Sequence, residues 1–109
     1  MEEKIIEEII SFVKEKTGLK NIHKETNIAA KEYQIFDIDA EFLMESFFEK
    51  FNVSYKGFDI TQFFYYPHYS WKSIVFFKNF FNKSNKESLQ SLTINHLAKV
   101  VEKGIWFNP

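Results

Sequence analysis

The chain has 109 residues, of which 45% are hydrophobic and 19% aromatic, with 14 phenylalanines, no cysteine and a formal net charge of −1. That length suits one domain, 1–109, and the composition excludes a disordered polar chain. The lack of cysteine excludes disulfides, thiolate metal sites and cysteine nucleophiles. All 14 basic residues are lysine, so the bidentate arginine contacts of specific nucleic-acid recognition are absent and no specific nucleic-acid partner is expected. Charge is uneven: residues 1–50 carry 12 acids against 7 lysines, and residues 51–109 carry 3 acids against 7 lysines.

Glu7 and Glu8 interrupt the isoleucines that follow Met1-Glu2-Glu3-Lys4, which is not the pattern of a signal peptide. No apolar run approaches the ~20 residues of a membrane span. The expected location is cytoplasmic.

Residues 2–16 predict a first helix. Ile5, Ile6, Ile9, Phe12 and Val13 recur at helical spacing and Ile10 widens the stripe. Glu2 and Glu3 complement the positive end of its dipole, Lys14 and Lys16 the negative end, and Gly18 suits the left-handed residue past the last turn. Residues 19–38 follow as a long connection, which Ile28, Ala29, Ala30, Tyr33, Ile35, Phe36 and Ile38 are expected to pin to the body.

Residues 39–51 predict a second helix with Asp39 as N-cap. Ala40, Leu43, Met44, Phe47 and Phe51 share its apolar arc, while Glu41, Glu45 and Glu49 form a separate stripe at i, i+4 and i+8 with Phe42 beside it. Residues 59–65 predict a short third helix capped by Asp59 and limited by Pro67, with Phe63 and Phe64 turned partly inward. Residues 71–82 are ambiguous. Phe76, Phe77, Phe80 and Phe81 favour a helix, and Ile74-Val75 suits the start of a strand. Residues 83–92 read as a polar loop. Residues 94–103 predict the last helix, opened by Thr93, striped by Ile94, Leu97, Ala98 and Val101, and ended by Gly104. Ile105 is expected to fold back on the C-cap, with Trp106 and Phe107 covering the base of the core.

Several segments resemble a family of bacterial proteins of unknown function whose fold is similar to that of acyl carrier proteins. They are Asp37-Ile38-Asp39-Ala40 and Glu49-Lys50-Phe51-Asn52-Val53 around helix two, Gly57-Phe58-Asp59 before helix three, and Leu92-Thr93-Ile94 with Gly104-Ile105-Trp106 around the last helix. The resemblance spans the chain except residues 66–90, which look like an insertion. It implies an all-α, irregular four-helix bundle with an extra hydrophobic segment before the last helix. Carriers open helix two with an Asp-Ser-Leu motif whose serine holds phosphopantetheine. Aligning Phe51 with the phenylalanine that ends the carrier helix puts Asp37 on the serine position. A carboxylate cannot form that phosphodiester, and the nearest serine, Ser46, lies two turns into the helix. The chain is therefore expected to carry no phosphopantetheine or other cofactor.

The resemblance also implies that Glu41, Glu45 and Glu49 face a protein partner with a basic patch, with Phe42 as an aromatic anchor. The plainer alternatives are a solvated helix face and a Phe42 packed against residues 66–82. Asp37 and Asp39 read as a cap and a dipole partner in preference to a catalytic or metal-binding pair. His23, His68 and His96 lie in three segments and form no zinc pair, and His96 is expected to face solvent. From Tyr65 to Lys86 aromatics interleave with Lys72, Lys78, Lys83 and Lys86 and no acid, which suits a helix covering the core with lysines outside. A membrane surface or single-stranded nucleic acid are the other readings of that segment. No catalytic constellation is present. The function expected is a non-catalytic, carrier-like docking module. The alternatives are a divergent carrier and a small protein that binds a lipid or other apolar ligand.

Overall fold

The computed structural model describes residues 2–64 and 89–109. Their secondary structure comprises α1 (Glu2–Thr17), a 3-10 turn (Lys31–Tyr33), α2 (Asp37–Lys50), a second 3-10 turn (Ile60–Gln62) and α3 (Ile94–Lys103). Two isolated bridges accompany them and no strand is formed among the described residues. The chain is thus all-α over what is described. The expected strand-or-helix segment 71–82, the four lysines of the basic aromatic stretch and most of the insertion 66–90 lie outside the described residues.

α1 forms as its periodicity dictates. Ile9, Phe12 and Val13 are buried, and Ile5, Ile6 and Ile10 pack at the margin of the core. The helix stops at Gly18, whose φ of 80° lets its N–H donate to the Lys14 carbonyl at 2.9 Å. Thr17 helps close the end: its hydroxyl donates to the Val13 carbonyl at 2.7 Å and accepts from the Leu19 N–H at 3.2 Å.

The connection 19–36 is held by its own side chains. Of the anchors expected there, Ile28 and Ile35 are buried and Ala29 and Tyr33 pack at the core margin; Ile22, not foreseen, is buried as well. Ile38 is the exception. It belongs to α2 and is 61% exposed.

The loop also completes the start of α3. Ile94 and Asn95 donate their N–H groups to the carbonyls of Thr26 and Lys24, at 3.3 and 2.8 Å. His96 donates its N–H to the Thr93 hydroxyl at 3.1 Å. Three donors that a helix start leaves unsatisfied therefore find partners, two of them from a loop nearly 70 residues away in sequence. Asn27 sits at the centre of this seam. Its side-chain oxygen accepts from the N–H of Ala29 at 3.0 Å and of Leu92 at 2.8 Å, while Ile28 donates its N–H to the Leu92 carbonyl at 2.9 Å.

α2 begins two residues before the sequence suggests. Phe36, not Asp39, is the N-cap, and no side chain caps it. Asp37, the first residue of α2, has a left-handed φ of 52°. Aspartate tolerates this left-handed region better than most residues do. Asp39 becomes the third helical residue, exposed in the first turn, where its charge still complements the dipole.

The short helix expected at 59–65 is a 3-10 turn at Ile60–Gln62. Its cap is the one foreseen: the Asp59 carboxylate accepts from the Thr61 N–H at 3.0 Å and hydroxyl at 2.7 Å. Phe63 and Phe64 are wholly interior, at 0% and 1% exposure.

The core is an aromatic lattice in two parts. Phe12, Phe47 and Phe51 meet between α1 and α2, with centroids 5.2–6.3 Å apart. Phe48, Phe58, Phe63 and Trp106 meet under the C-terminal segment. There Phe58 and Trp106 stand edge to face at 4.7 Å, and Phe58 and Phe63 stack with planes 8° apart. Phe47 and Phe48 join the two parts at 5.5 Å. Each fully buried ring contributes roughly 1.5–3 kcal/mol by burial, the half-buried Phe51 and Phe58 less, with about 0.5–1.5 kcal/mol more per favourable aromatic pair.

α3 is capped as its sequence predicts, by Thr93 at the start and by Gly104 at φ 80° at the end. The tail beyond it covers the core with Trp106 and Phe107 as expected and differs at Ile105. Ser54 donates its N–H to the Gly104 carbonyl at 3.0 Å and accepts from the Trp106 N–H at 2.8 Å. This parallel pairing extends the chain, so alternate residues face opposite ways. Ile105 turns outward, 40% exposed, and Trp106 takes the interior place at 5%. Val100 is fully buried where the sequence stripe has Val101, which lies at the core margin.

Candidate docking ridge on the second helix

The exposed face of α2 follows from helical rotation. At 100° per residue, positions 38, 42, 45 and 49 fall within about 60° of arc. All four side chains are exposed, Ile38 at 61% and Phe42 at 56%. The opposite arc holds the buried residues Ala40, Leu43, Met44, Phe47 and Phe48. The result is one ridge, apolar at the helix start and acidic toward its end.

The acidic stripe expected at Glu41, Glu45 and Glu49 is divided. Glu45 and Glu49 are exposed, but Glu41 is buried at 8%. Residues four apart drift by about 40° per step, so a stripe of three spans about 80°. Glu41 falls at the edge of the buried arc. Ile38 is the ridge residue that sequence reasoning missed. It was assigned to anchoring the loop, although the i, i+4 spacing to Phe42 places the two together.

Phe42 is neither bare nor buried. The Lys16 ammonium of α1 lies 5.5 Å from its ring centroid and 5.9 Å from that of Phe12. A cation over an exposed ring contributes about 0.5–1 kcal/mol. Asp37, at the head of the helix and off the ridge, is half-buried at the position where the carrier resemblance would place a serine. Ser46 is half-buried two turns further on.

The histidines are not brought together. His23 is exposed in the first loop, His68 lies outside the described residues, and His96 is in α3. His96 does not face solvent as expected, because the tail folds over it. It is 8% exposed, edge-on to Trp106 and Phe107, with Nε2 2.8 Å from the Phe107 carbonyl. Burial, aided by Lys99, holds its pKa below the ordinary histidine value against the opposing pull of that carbonyl. Among the described residues no three acids, histidines or cysteines are grouped to hold a metal ion. No helix of the described residues is long and apolar enough to cross a membrane.

The fold and ridge define a small all-α domain that presents a mixed apolar and acidic helix face. The chain belongs to the family described as protein of unknown function (DUF1493), whose match covers residues 2–108. No curated protein and no solved structure matches it.

Proposed function

We propose that this protein is a non-catalytic docking domain of carrier-like architecture that engages a protein partner through α2, without a phosphopantetheine arm. The observation that supports this most is the ridge itself, with Ile38 and Phe42 exposed one turn apart and Glu45 and Glu49 continuing the same line. Isolated exposed apolar residues are ordinary on any protein. Two aligned on one helix face and followed by two acids match a partner with an apolar recess beside a basic patch. Asp37 at the head of the helix supplies no hydroxyl for a phosphodiester, which favours docking over carriage of an acyl group.

The test is site-specific photo-crosslinking from position 42 in cells, in wild type and in Glu45→Lys/Glu49→Lys. A discrete crosslinked protein that disappears on charge reversal is the expected result. A crosslinking pattern identical in both would remove the ridge as a docking face. Mass spectrometry after incubation with a phosphopantetheinyl transferase and coenzyme A tests the arm. The mass should be unchanged, and a gain equal to the arm would replace this reading with that of a divergent carrier.

A further inference from the structure

His96 is a titratable side chain buried between α3 and the tail that follows it, and the α2 ridge makes no use of it. The tail is held at three places. Ser54 donates its N–H to the Gly104 carbonyl and accepts from the Trp106 N–H. Trp106 stands edge to face with Phe58 at 4.7 Å and with Phe63 at 5.6 Å. His96 Nε2 meets the Phe107 carbonyl at 2.8 Å. A carbonyl only accepts, so Nε2 carries the hydrogen and a second proton has to enter at Nδ1. The charge so gained lies against the rings of Trp106 and Phe107, with centroids 5.3 and 4.7 Å from that of the imidazole. Out of water, that charge is costly.

The charged neighbours do not relieve the cost. Lys99, one turn along α3, is the charged group that acts on the ring, and it repels a second positive charge. Lys103 lies over the Phe107 ring at 5.0 Å. Asp59, ahead of the second 3-10 turn, is bonded to Thr61, and Lys24 and Glu25 of the loop at the head of α3 are exposed. Among the described residues no carboxylate is bonded to the imidazole. The body does not depend on the tail in the same degree. Ile94, Leu97, Ala98 and Val100 bury α3, which packs against α1, whereas Trp106 is the one fully interior side chain of the tail.

We propose that residues 105–109 form a proton-sensitive latch: neutral His96 holds the tail over Phe58 and Phe63, and protonated His96 favours an opened tail, with the imidazole in water and α1, α2 and α3 still packed. Opening takes Trp106 off its neighbours and uncovers Phe58 and Phe63. Burial keeps the closed state from taking up the proton until well into acid, while the open state takes it up near the ordinary histidine value of 6.5. Opening therefore grows as pH falls through 6.5.

Amide hydrogen exchange of the full chain from pH 7.5 to 5.5, read by NMR in a series of low urea concentrations and corrected for intrinsic rates, tests this. The N–H groups of Ser54 and Trp106 report the latch, and that of Val13 in α1 reports the body. One histidine freed from burial can raise opening by no more than about tenfold over that range. A loss of protection of roughly two- to tenfold at Ser54 and Trp106 is expected, with far weaker urea dependence than at Val13. His96→Gln keeps a donor for the Phe107 carbonyl and should remove the pH dependence; the wild-type series stands without it if that variant misfolds. Wild-type protection at Ser54 and Trp106 that is constant or rises on acidification would overturn the latch, as would an undiminished fall in a folded His96→Gln. Urea dependence equal to that of Val13 would overturn it too, because the tail would then leave only when the whole chain unfolds.

Discussion

Replacing Asn27 with alanine removes one oxygen that serves two segments far apart in the chain. That oxygen accepts the N–H groups of Ala29 and Leu92, and Leu92 is fully buried. A typical internal hydrogen bond contributes about 0.5–1.5 kcal/mol net, and an orphaned buried donor costs about 1–3 kcal/mol. The Ala29 N–H is in a partly exposed loop and can recover water, so the Leu92 donor dominates. The expected loss is about 2 kcal/mol. With an unfolding entropy near 2.1 cal/mol/K per residue, that lowers Tm by roughly 9 °C for a chain of this size. Thermal unfolding by circular dichroism, backed by denaturant midpoints, measures it. Asn27→Asp is the control. A carboxylate accepts both bonds at the same geometry, so this variant should retain most of the stability. Hydrogen exchange should show protection lost first at Leu92 and Ile28. An Asn27→Ala protein with unchanged Tm, or an Asn27→Asp protein as weak as the alanine variant, would refute the seam as the tie between loop and α3.

Other substitutions test neighbouring features. Thr93→Ala removes the α3 N-cap and should cost about 1 kcal/mol, whereas Thr93→Ser should cost little; denaturant midpoints separate the two. Phe47→Ala empties the junction of the two aromatic groups and should cost about 3–5 kcal/mol, enough to leave much of the chain unfolded at 37 °C by near-ultraviolet circular dichroism. Because the folded state lowers the His96 pKa, the unfolded chain takes up that proton more readily. The contribution of His96 should therefore make stability fall as pH drops from the unfolded value of 6.5 toward the lower folded value and then level off. Comparing denaturant midpoints of wild type and His96→Gln from pH 7.5 to 5 isolates it. A His96-dependent gain in stability on acidification would contradict the burial.

How much of this was legible in the sequence depends on how local the determinant is. α1, α3 and the caps Thr93, Asp59 and Gly104 follow from apolar periodicity and from side chains that reach only two or three residues. The start of α2 was misplaced because a left-handed aspartate leaves no compositional mark. The 3-10 turn was overestimated as a helix, since two phenylalanines mark burial without specifying the backbone that buries them. His96 and Ile105 were misassigned for one cause. Both follow from the pairing of the tail with Ser54, far away in sequence, which fixes the direction of the tail and so what it covers. On the ridge, Glu45, Glu49 and Phe42 were placed correctly by spacing, while Glu41 and Ile38 exchanged roles because helical drift was not carried through the full stripe.

The Gln90 N–H donates to the Gln62 carbonyl at 2.8 Å, so the chain leaves the 3-10 turn and returns toward α3 through adjoining points. The tie is made by the main chain alone. No side-chain substitution at either position can loosen that tie, save proline at position 90, which has no N–H to give.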